Sequence, residues 1–317
     1  MESRPTEEQD FLAELGRRVR HVRALRGMSR KVLARVSGIS ERYIAQLESG
    51  KGNVSIKLLR RVSGAMGTRI EDLIIDPTVP PDWPVFRDLI RTAGSARIAQ
   101  ARAILAGAAP AAHQQPDRAG IDRVALIGLR GAGKSTLGRA VAARLGWTFV
   151  ELNREIERAH GHSVAEILAL YGQEGYRRRE QAALRDVAGR AGPMILATGG
   201  GIVAEPLTFE LLTTSFFTVW LRAAPEEHMA RVRQQGDLRP MADDRAAMQE
   251  LRAILASRAP LYGRARVTVD TSGIAVEAAA GRLLAAIAPA RERKPARRKS
   301  RGASGAHAVS RLSGGPR

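Results

Sequence analysis

The sequence predicts two folded units of different class. An all-α domain with a helix-turn-helix comes first, and an α/β domain with a parallel sheet flanked by helices follows. Three observations carry this reading. The chain has 317 residues, enough for about two domains of roughly 150 residues. Residues 10–76 contain only helical periods joined by short Ser/Gly turns. Residues 122–288 alternate short apolar runs with helical stretches, and the first run leads through a glycine-rich loop into a helix.

The formal net charge of +19 is unevenly placed. Between Phe11 and Ile70 stand 14 basic and 3 acidic residues, and from Ala290 to Arg317 stand 9 basic and 1 acidic, which leaves the remainder neutral. A basic head and tail around a neutral body suggest contact with nucleic acid at the ends and different work in the centre. With no cysteine, a disulfide framework, a thiolate zinc site and a cysteine nucleophile are excluded. The acidic, polar start from Met1 to Asp10 does not read as a signal peptide. No run of about 18 apolar residues occurs that would span a membrane. The expected setting is cytoplasmic, without membrane contact, and nucleoid-associated when bound to DNA.

Phe11, Leu15, Val19, Val22 and Leu25 recur at helical spacing, and Gly27 ends that helix. Ser29 caps a second helix carrying Val32, Leu33 and Val36. After the tight turn Ser37-Gly38-Ile39, Ser40 caps a third helix, Glu41 to Glu48. Ser55 opens a fourth, and Ile70, Leu73 and Ile74 form a short last one. Residues 77–121 read as a linker, since Pro77, Pro80, Pro81 and Pro84 stop regular structure, with one connector helix over Val85 to Leu105. In the body, Val124 to Ile127, Met194 to Ala197 and Phe216 to Leu221 read as buried parallel strands. Residues 289–317 hold almost no large apolar side chain and read as a disordered basic tail.

Two short helices around Ser37-Gly38-Ile39, with Gly38 giving backbone freedom and Ile39 plugging the angle, make a helix-turn-helix. The run Ser29 to Ala34, then Gly38-Ile39-Ser40, then Ile44 to Gly50 resembles the Cro/repressor-type (Xre) DNA-binding family over about Phe11 to Ile75. One departure is Arg30, where that family usually carries Gln. In such folds the third helix enters the major groove. That makes Ser40, Glu41, Arg42, Tyr43 and Gln46 the candidate base readers, and Arg30, Lys31, Lys51 and Asn53 the candidate phosphate contacts. The expected partner is double-stranded operator DNA, bound by a homodimer on a palindrome. The blander alternative, a solvated arginine-rich face, does not account for the turn pattern.

Gly128-Leu129-Arg130-Gly131-Ala132-Gly133-Lys134-Ser135 fits the Walker A pattern, between an apolar strand and a helix-like run from Thr136 to Leu145. Its glycines let backbone N–H groups converge on phosphate oxygens at a helix N-terminus. Gly131, Ala132, Gly133, Lys134, Ser135 and Thr136 are the candidate nucleotide-binding residues, with Lys134 on the phosphates. Mg²⁺, if bound, would sit at Ser135 and Glu151.

From Val124 to about Ile287 the body resembles shikimate kinase. The matching pieces are Ile127 to Arg139, Leu145 to Phe149, Ile156-Glu157, Gly161 to Val164, Tyr176 to Glu180, Thr198 to Gly201, Arg239-Pro240 and Arg258 to Tyr262. Tyr176 to Glu180 falls where that family has a Phe-Arg-Glu segment. The resemblance implies a P-loop kinase-like domain. It implies that Arg177, Arg258 and Gly199, Gly200 and Gly201 hold a carboxylate and hydroxyls, and that Arg239 reaches ATP phosphates from a lid. Arginine forks match both groups. The family's Asp-x-Asp after the second strand reads Glu151-Leu152-Asn153 here, and Gln173 stands where Glu is usual. Asn153 can hydrogen-bond but is no base at neutral pH. His160 and His162 read as surface residues, and Met241 as core or lid.

A repressor-type head on such a body resembles the BzdR/BoxR-type regulators of benzoate degradation. That implies a transcriptional repressor whose body senses an acyl-CoA effector, benzoyl-CoA, with Asn153 and Arg177 toward the acyl group. The alternative is an active shikimate kinase, using ATP and Mg²⁺ to make shikimate 3-phosphate, that also carries a DNA-binding module.

Overall fold

The computed structural model describes residues 7–51, 54–74, 83–105, 121–234 and 244–291. The head is built of α1 (Glu7–Leu25), α2 (Arg30–Ser37), α3 (Glu41–Glu48), α4 (Ile56–Ala65) and α5 (Ile70–Ile74). Each cap has its expected donor: Val32 N–H to Ser29 Oγ at 3.1 Å, Tyr43 N–H to Ser40 Oγ at 3.2 Å and Leu58 N–H to Ser55 Oγ at 3.3 Å. These bonds satisfy amides that a helix start leaves unpaired. Leu15, Val19, Leu33, Ile39, Ile44, Leu47, Val62 and Met66 form one buried core.

Gly38 turns the chain between α2 and α3 with φ +65°. Arg61 of α4 clamps that turn, donating to Ser37 O at 2.9 Å and Gly38 O at 2.7 Å, and a Cβ at Gly38 would lie 2.5 Å from its guanidinium. The position therefore excludes a side chain on two counts. Gly16 is a close-approach site, since a Cβ there would meet Leu47 O at 2.5 Å, which lets α1 lie directly on α3.

Glu48, fully buried at the end of α3, is the polar centre of the head. Arg23 of α1 donates to both its carboxylate oxygens, and Arg30 Nε donates to Oε2 at 2.8 Å. Arg23 also donates to Met28 O at 2.7 Å. The recognition-helix position is thus tied to both preceding helices by charge-assisted hydrogen bonds.

The connector expected as one helix is two, α6 (Trp83–Thr92) and α7 (Ser95–Leu105), broken at Ala93-Gly94. Glycine is costly inside a helix, and Ser95 can start a new one. Arg87 of α6 pairs with Asp72 of α5, and α6 packs on the body helix α11 (Pro206–Ser215).

The body is a five-stranded parallel sheet in the order β2-β3-β1-β4-β5. Its strands are β1 (Arg123–Ile127), β2 (Thr148–Glu151), β3 (Met194–Ala197), β4 (Phe217–Arg222) and β5 (Val267–Asp270). Helices α8 (Lys134–Leu145) and α14 (Val276–Arg291) cover one face; α9 (Leu152–His160), α10 (Val164–Gly189) and α11 cover the other. Helices α12 (Pro225–Gln234) and α13 (Asp244–Tyr262) complete the described body. α14 runs through Pro289 to Arg291, and Ile121 N–H bonds Ala290 O at 3.2 Å. The expectation that the basic tail starts at 289 is therefore corrected, with Ala290 and Arg291 belonging to the body. The rest of the tail, Arg239 and Met241 lie outside the described residues.

A linker reading suggests separable units, but the head and body touch. α1 packs on α13, Arg258 Nε donates to Leu25 O at 2.8 Å, and Arg26 donates to Ala204 O at 3.1 Å while pairing with Glu205. Since removing one partner of a buried ion pair leaves the other charge stranded, Glu48→Ala is expected to destabilise the head by about 3–5 kcal/mol. Hydrogen exchange should show faster amides in residues 11–74 and little change in β1 and β3.

Candidate functional site

On the head, Ser40, Glu41, Arg42 and Gln46 lie exposed along α3, and Tyr43 is half-buried against the core. The Ser40 hydroxyl already accepts the cap hydrogen bond. Lys31 and Lys51 are exposed, whereas Arg30 has its Nε bound to Glu48. Arg30 therefore braces the recognition helix from inside the head, and of its fork only the terminal nitrogens remain to face a phosphate. Asn53 lies outside the described residues. The exposed set is a polar, forked surface suited to base edges and phosphate oxygens.

In the body, β1 ends at Ile127 and the glycine loop turns into α8, whose first residue is Lys134. The Lys134 ammonium is buried and donates to Gly128 O at 2.8 Å and Leu129 O at 3.0 Å, so the loop closes around its own cation. Burial, reinforced by the charge of Arg258, pushes its pKa down to about 8. Gly131, Ala132 and Gly133 line the turn, with Thr136 exposed on the first helical turn. Ser135 Oγ donates to Glu151 Oε1 at the end of β2. A loop of amides at a helix start, one buried ammonium and a hydroxyl–carboxylate pair fit a nucleotide phosphate with Mg²⁺.

The Gly199, Gly200 and Gly201 stretch follows β3 and lies against the loop: a Cβ on Gly200 would stand 3.1 Å from Arg130 N. A Cβ on Gly201 would lie 2.4 Å from the Arg177 guanidinium. Arg177 of α10 donates to Glu180 Oε2 at 2.6 Å, and its Nε lies 3.5 Å from Glu205. Arg258 of α13 donates to Gly200 O at 3.1 Å, and Tyr262 OH donates to the same carbonyl at 2.5 Å. Arg177 and Arg258 are thus both brought to the glycines.

Asn153, on the first turn of α9, meets Tyr176 OH at 3.2 Å, and that hydroxyl lies 3.1 Å from Glu180 Oε1. One phenolic proton cannot serve two acceptors. With the amide turned so that its NH₂ donates to the phenol oxygen, the phenol donates to Glu180 and every group is satisfied. Burial, then the charge of Glu180, drives the Tyr176 pKa upward, so the phenol keeps its proton. Gln173 is half-buried near Arg26 and Glu205.

Three contributors had no sequence signal. Arg26 reads only as one more basic residue, Glu205 as an isolated acid, and His228 as a lone histidine. His228 is buried, its pKa lowered mainly by burial, and its Nδ1–H donates to Arg130 O at 2.9 Å, propping the glycine loop. His160 and His162 are exposed, and among the described residues no group of three or more His, Asp or Glu could hold a metal ion.

Comparison with known proteins finds a match over each unit. The shikimate kinase family profile matches residues 130–288, and the helix-turn-helix profile matches residues 19–73. The shikimate kinase of Thiobacillus denitrificans is 38% identical over 152 residues, covering 48% of this chain and 82% of that protein. The shikimate kinase of Symbiobacterium thermophilum is 41% identical over 144 residues, covering 45% and 82%. The structure of Acinetobacter baumannii shikimate kinase in complex with shikimate aligns with a TM-score of 0.48 at 33% identity, over 52% of this chain and 91% of that one. Through the domain that begins at its phosphate loop, this chain belongs to the shikimate kinase family, and it carries a helix-turn-helix head ahead of that domain.

Proposed function

We propose that the chain is a ligand-responsive transcriptional repressor. Its head binds operator DNA, and its shikimate kinase-like body has become an effector sensor. The observation that carries this is the acceptor end of the body pocket. Asn153 stands hydrogen-bonded to Tyr176 where the family has a carboxylate able to take the substrate's proton. An amide holds a ligand but accepts no proton at neutral pH. The basic side chains Lys134, Arg177 and Arg258 beside the glycine segments support a site for anions.

The effector is an acyl-CoA, benzoyl-CoA in the reading favoured here. Its phosphates would lie on the loop at Gly131 to Thr136, and its acyl group toward Asn153 and Arg177. A homodimer on a palindromic operator is the natural use of a single such head. Phe86 and Ile90, exposed on α6, offer an apolar strip for it. A ligand switches such a protein only by its differential affinity for two DNA-binding states.

The second reading, an active shikimate kinase, is favoured by the intact phosphate loop and the Ser135–Glu151 pair. ATP and Mg²⁺ would supply the phosphoryl group and the charge to neutralise it. Lys134 and the loop amides would hold the phosphates, Ser135 and Glu151 the cation, and Arg177 and Arg258 the carboxylate of the acceptor. Asn153 would orient a hydroxyl without deprotonating it.

Arg42→Ala should lose discrimination of operator from random duplex by about 1–3 kcal/mol in fluorescence anisotropy. Benzoyl-CoA should bind that variant as it binds the native chain. ATP-dependent phosphorylation of shikimate by the purified chain should be absent. Brisk turnover that disappears in Lys134→Ala would establish the kinase reading instead. Nucleotide affinity should fall as pH rises through about 8, because Lys134 then loses the proton that a bound phosphate requires. Calorimetry should find that dependence gone in Lys134→Ala.

A further inference from the structure

Between head and body lies a cleft of about 430 Å³, and both domains line it. Arg26, Gly27 and Val32 come from the head; Arg177, Arg258 and Ile254 come from the body. The volume suits a ring-sized molecule. Its charged wall is unusual. Three guanidinium groups stand on it, Arg258 buried and Arg26 and Arg177 nearly so, with Arg130 and the carboxylate of Glu250 on the same lining. Behind them Glu180 pairs with Arg177, and Glu205 is shared between Arg26 and Arg177. The Nε of Arg26 is buried with no hydrogen-bond partner among the described residues, and the Nε of Arg177 has only the 3.5 Å ion pair with Glu205. Buried donors left unpaired are costly and mark a place where a further acceptor belongs. Burial, with the charges of Arg177 and Arg258 behind it, lowers the Arg26 pKa to about 10, so the group stays charged at neutral pH while under like-charge stress.

We propose that Arg26 of the DNA-binding head adds a third donor to the anion site that the family resemblance assigns to Arg177 and Arg258. A ligand oxyanion bound there accepts from Arg26 as well as from Arg177 and Arg258, and so clamps the head onto the body. This rests on the reading of the body as a sensor and gives that sensor its output. The body contributes two arginines by itself. The third arrives only when the end of α1 is docked, so a ligand that uses all three binds the docked arrangement more tightly and shifts the population toward it. The readers on α3 stay exposed in the docked state. The ligand therefore acts by fixing where the head is held, not by covering its DNA surface. Glu205 is the internal competitor, occupying Arg26 and Arg177 until an external anion takes over.

The test uses the full chain and three probes: shikimate and benzoate for a carboxylate source, and inorganic phosphate for a phosphate source. Calorimetry gives affinities, and hydrogen exchange reports on residues 22–28 at the seam. In the native chain at least one probe should bind and slow exchange at residues 22–28. Arg26→Ala should weaken that probe by about tenfold or more and abolish the protection. Glu205→Gln should change affinity in the opposite direction, binding the probe more tightly because the competitor has lost its charge. Stronger response to shikimate and benzoate assigns a carboxylate site; stronger response to phosphate assigns a phosphate site. If no probe binds, the anion site is overturned. If Arg26→Ala binds every probe as the native chain does, or if a bound probe leaves residues 22–28 unprotected, the clamp is overturned. Anisotropy on operator DNA separates this from the regulator reading: a chain that binds no DNA but still shows ligand protection at the seam keeps the clamp and loses the repressor.

Discussion

Positive charge held out of water at the carboxyl ends of β1 and β3 is the constraint on which the rest of the body depends. Lys134 and Arg258 are buried there, and Arg177 and the head's Arg26 nearly so. Burial lowers the pKa of Lys134, Arg258 and Arg26, and neighbouring arginines add to it. Backbone carbonyls offset part of this. Gly128 and Leu129 receive Lys134, Gly200 receives Arg258, and Ala204 receives Arg26. A Cβ on Gly200 would crowd the loop backbone at Arg130 N, so glycine lets the two segments lie together. The site is at the crossover of the sheet, where β1 has β3 on one side and β4 on the other, the place where open parallel sheets gather ligands.

The same seam links the site to the DNA-reading helix through very few residues. Arg23 and Arg26 stand three positions apart at the end of α1. Arg23 points inward and grips Glu48, the last residue of α3. Arg26 points outward and grips Glu205 of the body. A rearrangement that moves Arg26 therefore acts on a helix end that is ion-paired to the recognition helix. Arg30, unusual for this kind of head, adds a second bond to Glu48. The ends of α1, α2 and α3 are thus tied together at one buried carboxylate.

What was legible in the sequence was local. Ser29, Ser40 and Ser55 announced their helices because a cap is decided within three residues. The strands β1, β3 and β4 were visible as apolar runs because the sheet interior buries both their faces. β5 was not, since Thr268 is exposed and Arg266 precedes the strand, so no continuous apolar run marks it. The break at Gly94 was hidden inside a helical period that continues on both sides. Lys134 stood out through its loop motif and Arg177 and Arg258 through the family resemblance, while Arg26 and Glu205 did not. Their pairing exists only once two domains meet, and no spacing along the chain encodes it.

Asn153 and Tyr176 are best understood together. The family pattern has a carboxylate at the first position and a phenylalanine at the second, neither of which needs the other. Here the phenol adds one proton and one acceptor beside Glu180, a fully buried carboxylate already paired with Arg177. A carboxylate at 153 would then compete with Glu180 for that single proton, and two anions would face one donor in a dry site. An amide resolves the conflict by donating to the phenol oxygen, giving an unbroken chain from Asn153 through Tyr176 and Glu180 to Arg177. The hydroxyl therefore favours an amide over an acid at 153, and the two departures act together to form a hydrogen-bonded wall beside the arginines.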